Sequence, residues 1–169
     1  MRAIITPSKL SGTVTAPPSK SFTHRAVMLA SLANGISTIE NPLMCDDTIH
    51  TINVCKVLGA DVKDVNGKLE IAPKGNSQFE ASSEIDVGAS GTTARSILPI
   101  AALSKNRIKI YGTPKLHERP MVDLINTLRN GGMDLRCLEK EGHLPVEVGG
   151  SQFNGGEISV NGKGPIPQG

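Results

Sequence analysis

Aromatic side chains are nearly absent: the chain of 169 residues holds no Trp, one Tyr and three Phe. That leaves few platforms on which single-stranded bases stack. Charge of one sign is equally scarce, since 18 Lys and Arg stand against 16 Asp and Glu for a formal net charge of +2. A surface that coats nucleic acid needs a basic excess, so no nucleic-acid partner is expected. The three cysteines, Cys45, Cys55 and Cys137, form no C-x-x-C pair and point to neither a disulfide framework nor a zinc site. They are expected as reduced core thiols. His24, His50, His117 and His143 have no metal-ligand spacing, so no metal is expected and each reads as a surface or packing residue. No 18-residue apolar run occurs and the N-terminus MRAIITPSKLSG has no signal-peptide core, which predicts a soluble, cytoplasmic protein with no membrane partner. A chain of this length is about one domain and buries roughly 68–70% of its unfolded surface.

What is present is a repeat. INVCKVLGADVK at 52–63 returns as INTLRNGGMDLR at 125–136, and SKSFTHRAVMLASLA at 19–33 corresponds to SGTTARSILPIAAL at 90–103. Between the paired helical stretches lie the short strand patterns STIEN (37–41) and IKIYG (108–112). Two βαβαββ units are therefore expected, led by one or two strands (RAIIT, GTVTA), with helices packed together and sheets covering the outside. Asn66-Gly67 marks a two-residue hairpin. Asp46 or Asp47 is expected to cap the helix carrying Ile49, Ile52, Cys55 and Leu58, which Gly59 ends. Pro120 suits the first turn of a helix carrying Met121, Leu124, Ile125 and Leu128. Pro99 falls inside the SILPIAAL helix and should kink or shorten it. The tail VNGKGPIPQG is rich in Gly and Pro, and it reads as cut short.

Both units place a hydroxyl-rich, cation-bearing loop just before a helix: PPSKSFTHR in the first and GASGTTAR in the second. Free N–H groups at a helix start, hydroxyl donors and a fixed positive charge make an anion cradle, and Gly91 lets backbone approach the ligand closely. Arg119, in LHERPM, brings a further cation to the second unit, where the first unit carries Asp46 and Asp47. Should the loops converge, Lys20, Arg25, Arg95 and Arg119 would gather around a polyanion, phosphate being the natural guest. Taken singly, a Ser before a helix is a cap, a Gly-Thr loop is a turn and an Arg before Pro is solvated. Parallel placement in a repeat favours a site, while Asp46 and Asp47 stay evenly poised between cap and site residue.

PPSKSFTHRAVMLASLANGISTIENPLMCDD, then GASGTTAR, then LHERPM, in that order, resemble the signatures of the 5-enolpyruvylshikimate-3-phosphate synthase family over about residues 7–162. The resemblance implies an inside-out α/β repeat lobe of the enolpyruvyl transferase type. Residues 1–14 would be a strand segment belonging to the family's other lobe, 15–162 two βαβαββ units of one lobe, and 163–169 a tail. It implies transfer of the enolpyruvyl group from phosphoenolpyruvate to shikimate 3-phosphate, a shikimate-pathway step toward aromatic amino acids, without metal or organic cofactor. By that resemblance Lys20, Ser21 and Arg25 hold shikimate 3-phosphate. Lys20, Gly91, Thr92, Arg95 and Arg119 meet phosphoenolpyruvate, and Lys20 and Asp47 are the catalytic positions.

Family members run to more than twice this length, so the resemblance marks an N-terminal portion carrying half the site, with the remaining C-terminal part as its partner. Two other readings stay open: a non-catalytic phosphate-binding module of the same fold, and a relative of the enolpyruvyl transferase that acts on a UDP-sugar.

Overall fold

The computed structural model describes residues 4, 7, 9, 11–73, 84–102, 104 and 106–149. The first repeat contains α1 (Lys20–Leu32), β1 (Ser37–Ile39), α2 (Asp46–Val57), β2 (Asp61–Val65) and β3 (Lys68–Ala72). In the second, β4 (Glu84–Asp86), α3 (Gly91–Ala101) and β5 (Ile108–Tyr111) lead to a short α4 (Pro114–His117), then α5 (Val122–Asn130), β6 (Leu135–Cys137) and β7 (Val146–Val148).

The two sheets share one plan. In the first the strand order is β1-β3-β2, and in the second β4-β5-β7-β6. Replacing β1, β3 and β2 by β5, β7 and β6 reproduces the same antiparallel neighbours. The extra strand β4 pairs parallel with β5. The second repeat is thus βαβαββ as expected, with α4 inserted. GTVTA is not the matching strand of the first repeat: residues 13–19 form no regular element, because no described segment lies alongside to pair with them. Most of RAIIT, the 163–169 tail and the VNG stretch lie outside the described residues.

Each sheet buries alternate side chains, Leu69 and Ile71 in β3 and Ile108 and Ile110 in β5, which is the period-two pattern of a half-covered sheet. Helices α1, α2 and α3 touch one another between the sheets, the inside-out arrangement that the sequence implies. Two apolar cores result. The smaller gathers Val27, Met28, Ile52, Cys55, Leu69 and Ile71. The larger is built from α3, α5 and the second sheet, around Ile97, Leu98, Ile110, Ile125 and Val146. Helix α2 serves both, lending Ile52 and Cys55 to one and Val54, with the C-cap Leu58, to the other.

Local chemistry explains the element ends, sometimes against expectation. Asn66 and Gly67 take φ values of +55° and +79°, the left-handed pair a two-residue hairpin turn requires. Neither Asp46 nor Asp47 caps α2. The cap is Cys45, whose backbone N–H donates to Thr48 Oγ1 at 2.9 Å, while both aspartates sit in the first turn, where the dipole favours them. Pro120 lies outside α5 rather than in its first turn: Met121 is the cap residue, held out of helical geometry because its N–H donates to the Gly142 carbonyl at 2.8 Å. Pro99 does not shorten α3, which continues to Ala101. Of the three thiols only Cys55 is buried; Cys45 and Cys137 are partly exposed, so the expectation of three core cysteines fails for two.

Candidate functional site

Helix α1 starts at Lys20, capped by Ser19, whose hydroxyl accepts from the Phe22 amide at 3.3 Å. The following first-turn amides have no intrahelical acceptor, and the exposed Ser21 adds a hydroxyl beside them. Lys20 does not stand free: its ammonium donates to Asp47 Oδ2 at 2.7 Å, joining the first turns of α1 and α2. That hydrogen bond, and then the charge of Asp47, raise the Lys20 pKa, so the side chain remains a cation at neutral pH. The pair is half exposed at its lysine end, where such bonds contribute at most about 1 kcal/mol. An incoming anion competes with Asp47 for Lys20 at little cost. Accordingly, Asp47→Asn is expected to raise the affinity of the chain for inorganic phosphate by up to about fivefold, read by titration calorimetry; weaker binding in the variant would oppose the placement of Lys20.

The second cradle is more compact. Ser90 caps α3, its hydroxyl accepting from the Thr93 amide at 3.2 Å. Gly91 opens the helix, and the exposed Thr92 follows it. A Cβ placed on Gly91 would stand 2.8 Å from Arg95 Nη1 and 3.5 Å from Arg119 Nη1, so two guanidinium groups converge over this one bare Cα. Arg95 is oriented by donating to the Gly91 carbonyl at 3.2 Å and the Pro120 carbonyl at 3.4 Å. Arg119 arrives from the turn after α4, where its amide donates to the Leu116 carbonyl and buried Leu116 packs under the loop. Neither arginine meets a carboxylate within ion-pair distance among the described residues. Two uncompensated cations at the positive end of a helix dipole attract an anion.

A buried row of polar groups ties the two cradles together. His24 Nδ1 lies 2.6 Å from Thr51 Oγ1, Thr51 Oγ1 lies 2.7 Å from Thr93 Oγ1, and Thr93 Oγ1 donates to Ser90 Oγ at 2.7 Å. All four residues are at most 1% exposed. His24 is one turn beyond Lys20, Thr51 one turn beyond Asp47, and Thr93 in the first turn of α3. The row therefore links the first two turns of α1, α2 and α3, the turns that carry Lys20, Asp47, Gly91, Thr92 and Arg95. Sequence reading gave His24 a packing or surface role and passed over Thr51; hydroxyls inside helices carry no periodic signal.

The Arg25 guanidinium lies 4.8 Å from the Phe22 ring centroid, a stacked contact, and it makes no ion pair among the described residues. This contact holds the guanidinium beside Phe22 on the exposed side of α1.

Burial lowers the His24 pKa; Asp47 opposes that shift and Lys20 assists it. A histidine with a depressed folded-state pKa binds fewer protons folded than unfolded below its unfolded value of about 6.5. Stability is then fully present above that pH and lost as pH falls through the window down to the folded value. The urea midpoint is expected to drop between pH 7.5 and 5.5, and to drop less in His24→Asn; equal slopes in the two proteins would contradict a buried, neutral His24.

Among the described residues no helix is long and apolar enough to cross a membrane. A family model described as EPSP synthase (3-phosphoshikimate 1-carboxyvinyltransferase) matches residues 4–165. A 3-phosphoshikimate 1-carboxyvinyltransferase of Methanobrevibacter smithii is 40% identical over 157 residues, covering 92% of this chain and 35% of the relative. The protein of the same description from Methanothermobacter thermautotrophicus is 38% identical, over 90% of this chain and 36% of its own length. Among solved structures, EPSP synthase from Acinetobacter baumannii superposes with a TM-score of 0.78 at 27% identity, over 85% of this chain and 33% of that one. The chain spans about a third of the length of these relatives.

Proposed function

This chain belongs to the EPSP synthase family, and we propose that it supplies the anion-binding half of a site that transfers the enolpyruvyl group of phosphoenolpyruvate to shikimate 3-phosphate. The observation that carries the reading is the approach of Arg95 and Arg119 to Gly91 at the start of α3. Phosphoenolpyruvate presents a phosphate and a carboxylate. Two guanidinium groups, with first-turn amides beneath and the Thr92 hydroxyl beside them, match that pair of anions.

Shikimate 3-phosphate, in this reading, lies across the start of α1, where Lys20 and Ser21 offer a cation and a hydroxyl at a helix N-terminus. Arg25 joins by leaving the face of Phe22. The shikimate hydroxyl loses its proton as its oxygen adds to the substituted enol carbon and the methylene carbon gains a proton; the methyl group so formed then gives up a proton as phosphate leaves the tetrahedral adduct, which restores the double bond. Converging cations favour that sequence because they neutralise the substrate anions before the proton arrives. Lys20 and Asp47 are the acid–base candidates: paired at 2.7 Å, they hold each other at the helix starts, and each is placed to transfer a proton to or from a ligand within hydrogen-bond reach. The reading needs no metal or organic cofactor and no nucleic-acid or membrane partner, and it places the chain in the cytoplasm. The remaining length of the relatives, which would close over the ligands, is the partner it requires for turnover.

Calorimetric titration of the chain with shikimate 3-phosphate and with phosphoenolpyruvate tests this. Saturable binding of both is expected. Binding of inorganic phosphate with no preference for either substrate would instead mark a general phosphate-binding module, and tighter binding of a UDP-sugar would redirect the acceptor assignment.

A further inference from the structure

His24 has two ring nitrogens and only one of them has a partner. Nδ1 faces Thr51 Oγ1 at 2.6 Å, whereas Nε2 is buried without a hydrogen-bond partner among the described residues. An imidazole with its proton on Nε2 would bury an orphan N–H, which native structures rarely tolerate; an orphan lone pair is cheaper. The cheaper arrangement has the proton on Nδ1, donating to Thr51.

That choice orders the whole row. Each hydroxyl has one proton to give. Thr51 Oγ1 also lies 3.2 Å from the Asp47 carbonyl, a second acceptor for its proton. With Thr93 Oγ1 donating to Ser90 Oγ, sending that proton to the carbonyl would leave two lone pairs facing each other across the 2.7 Å contact between the threonines; the shorter contact therefore takes the Thr51 proton, and Thr51 accepts from His24. Ser90 Oγ receives the Thr93 hydroxyl and the Thr93 amide together, so the row ends on the cap of the helix over whose first residue Arg95 and Arg119 converge.

We propose that His24 is a positioning residue which, as the neutral Nδ1–H tautomer, drives a one-way row of hydrogen bonds through Thr51 and Thr93 into the Ser90 cap and so holds the phosphoenolpyruvate cradle in register with Lys20 and Asp47. It touches no ligand. The proposal rests on the functional reading of Gly91 and Arg119, and two of its three tests need no ligand at all. The charged groups around His24 are Asp47 and Lys20, which lie at the other end of the same helical turns and are offset against each other by their own ion pair.

Nitrogen-edited NMR of the chain at pH 7.5 should find His24 protonated on Nδ1 and bare on Nε2; the opposite tautomer would overturn the proposal. Thr51→Val keeps the side-chain shape and removes the hydroxyl, and His24→Phe removes the donor. Both should move the amide resonances of Gly91 and Thr92, whereas His24→Asn, whose amide nitrogen falls where Nδ1 was, should return them toward wild type. Unmoved amides in Thr51→Val, or no rescue by asparagine, would also overturn it. With phosphoenolpyruvate as ligand, Thr51→Val should bind about tenfold more weakly, the usual scale for a lost hydrogen bond. Ser31→Ala, which removes another helical hydroxyl bonded to the Val27 carbonyl, should bind as wild type, and an equal loss there would reduce the row to general helix packing. A wild-type chain that does not bind phosphoenolpyruvate sinks the functional reading, and the tautomer and amide measurements then judge the row by themselves.

Discussion

Arg119→Ala is expected to weaken phosphoenolpyruvate binding by about 1.5–3 kcal/mol, one to two decades in Kd, with the melting temperature essentially unchanged. The magnitude is that of a charged hydrogen bond to an anion. Its confinement to binding follows from exposure: Arg119 lies at the surface with no ion pair to lose among the described residues. Arg119→Lys should recover only part of the affinity, because a point charge cannot reach two oxygens in one plane. Arg95→Ala gives a blunter result, since Arg95 also spans from the Gly91 carbonyl to the Pro120 carbonyl and its removal loosens the loop that carries Arg119. Titration calorimetry of the three variants separates these effects, and unchanged affinity in Arg119→Ala would remove the arginine from the site.

Gly112→Ala should strike stability and binding together. Gly112 leaves β5 where the chain turns into α4, and a Cβ there would stand 2.4 Å from the Gly88 carbonyl oxygen and 2.9 Å from Leu116 Cδ2. The first obstacle is backbone, so it cannot swing aside as a side chain does. That carbonyl also accepts the Thr113 amide at 2.9 Å, the bond that fastens the α4 loop to the loop before α3. Forcing the two loops apart is expected to cost about 1–3 kcal/mol, the range seen for overpacking, which for a chain of this size lowers the melting temperature by roughly 2–12 °C. The same displacement carries Arg119 away from Gly91, so phosphoenolpyruvate affinity should fall in the fraction that remains folded. Thermal unfolding followed by circular dichroism, with titration below the transition, measures both. A variant that melts and binds like wild type would show that the contact between the loops is not what sets the cradle.

The elements that the sequence exposes most clearly are those whose signals are local. Asn66-Gly67 specifies its hairpin without help, and the 3.6-residue spacing of Ile49, Ile52 and Cys55 declares α2 whatever surrounds it. The internal repeat disclosed the shared strand plan, because two sheets with the same neighbours need the same pattern twice. What escaped depends on distant partners. Met121 delays α5 only because Gly142, far along the chain, accepts its amide. GTVTA has the composition of a strand and no described neighbour with which to pair. In the site, Lys20, Gly91, Arg95 and Arg119 were legible as charge and glycine beside helix starts. The hold of Asp47 on Lys20 and the seating of Arg25 on Phe22 were not, for side-chain partners across helices leave no trace in spacing. The row from His24 to Ser90 was hidden for the same reason: a threonine in mid-helix reads as weakly unfavourable until a second helix supplies its mate.

Helix α2, which gives alternate side chains to both apolar cores, makes the duplicated architecture indivisible. Neither half can melt without stripping one flank of that shared rod, so a defect introduced in the second repeat is felt thermodynamically in the first. The sequence carries the pattern twice, and the rod between the copies is expected to make them unfold together.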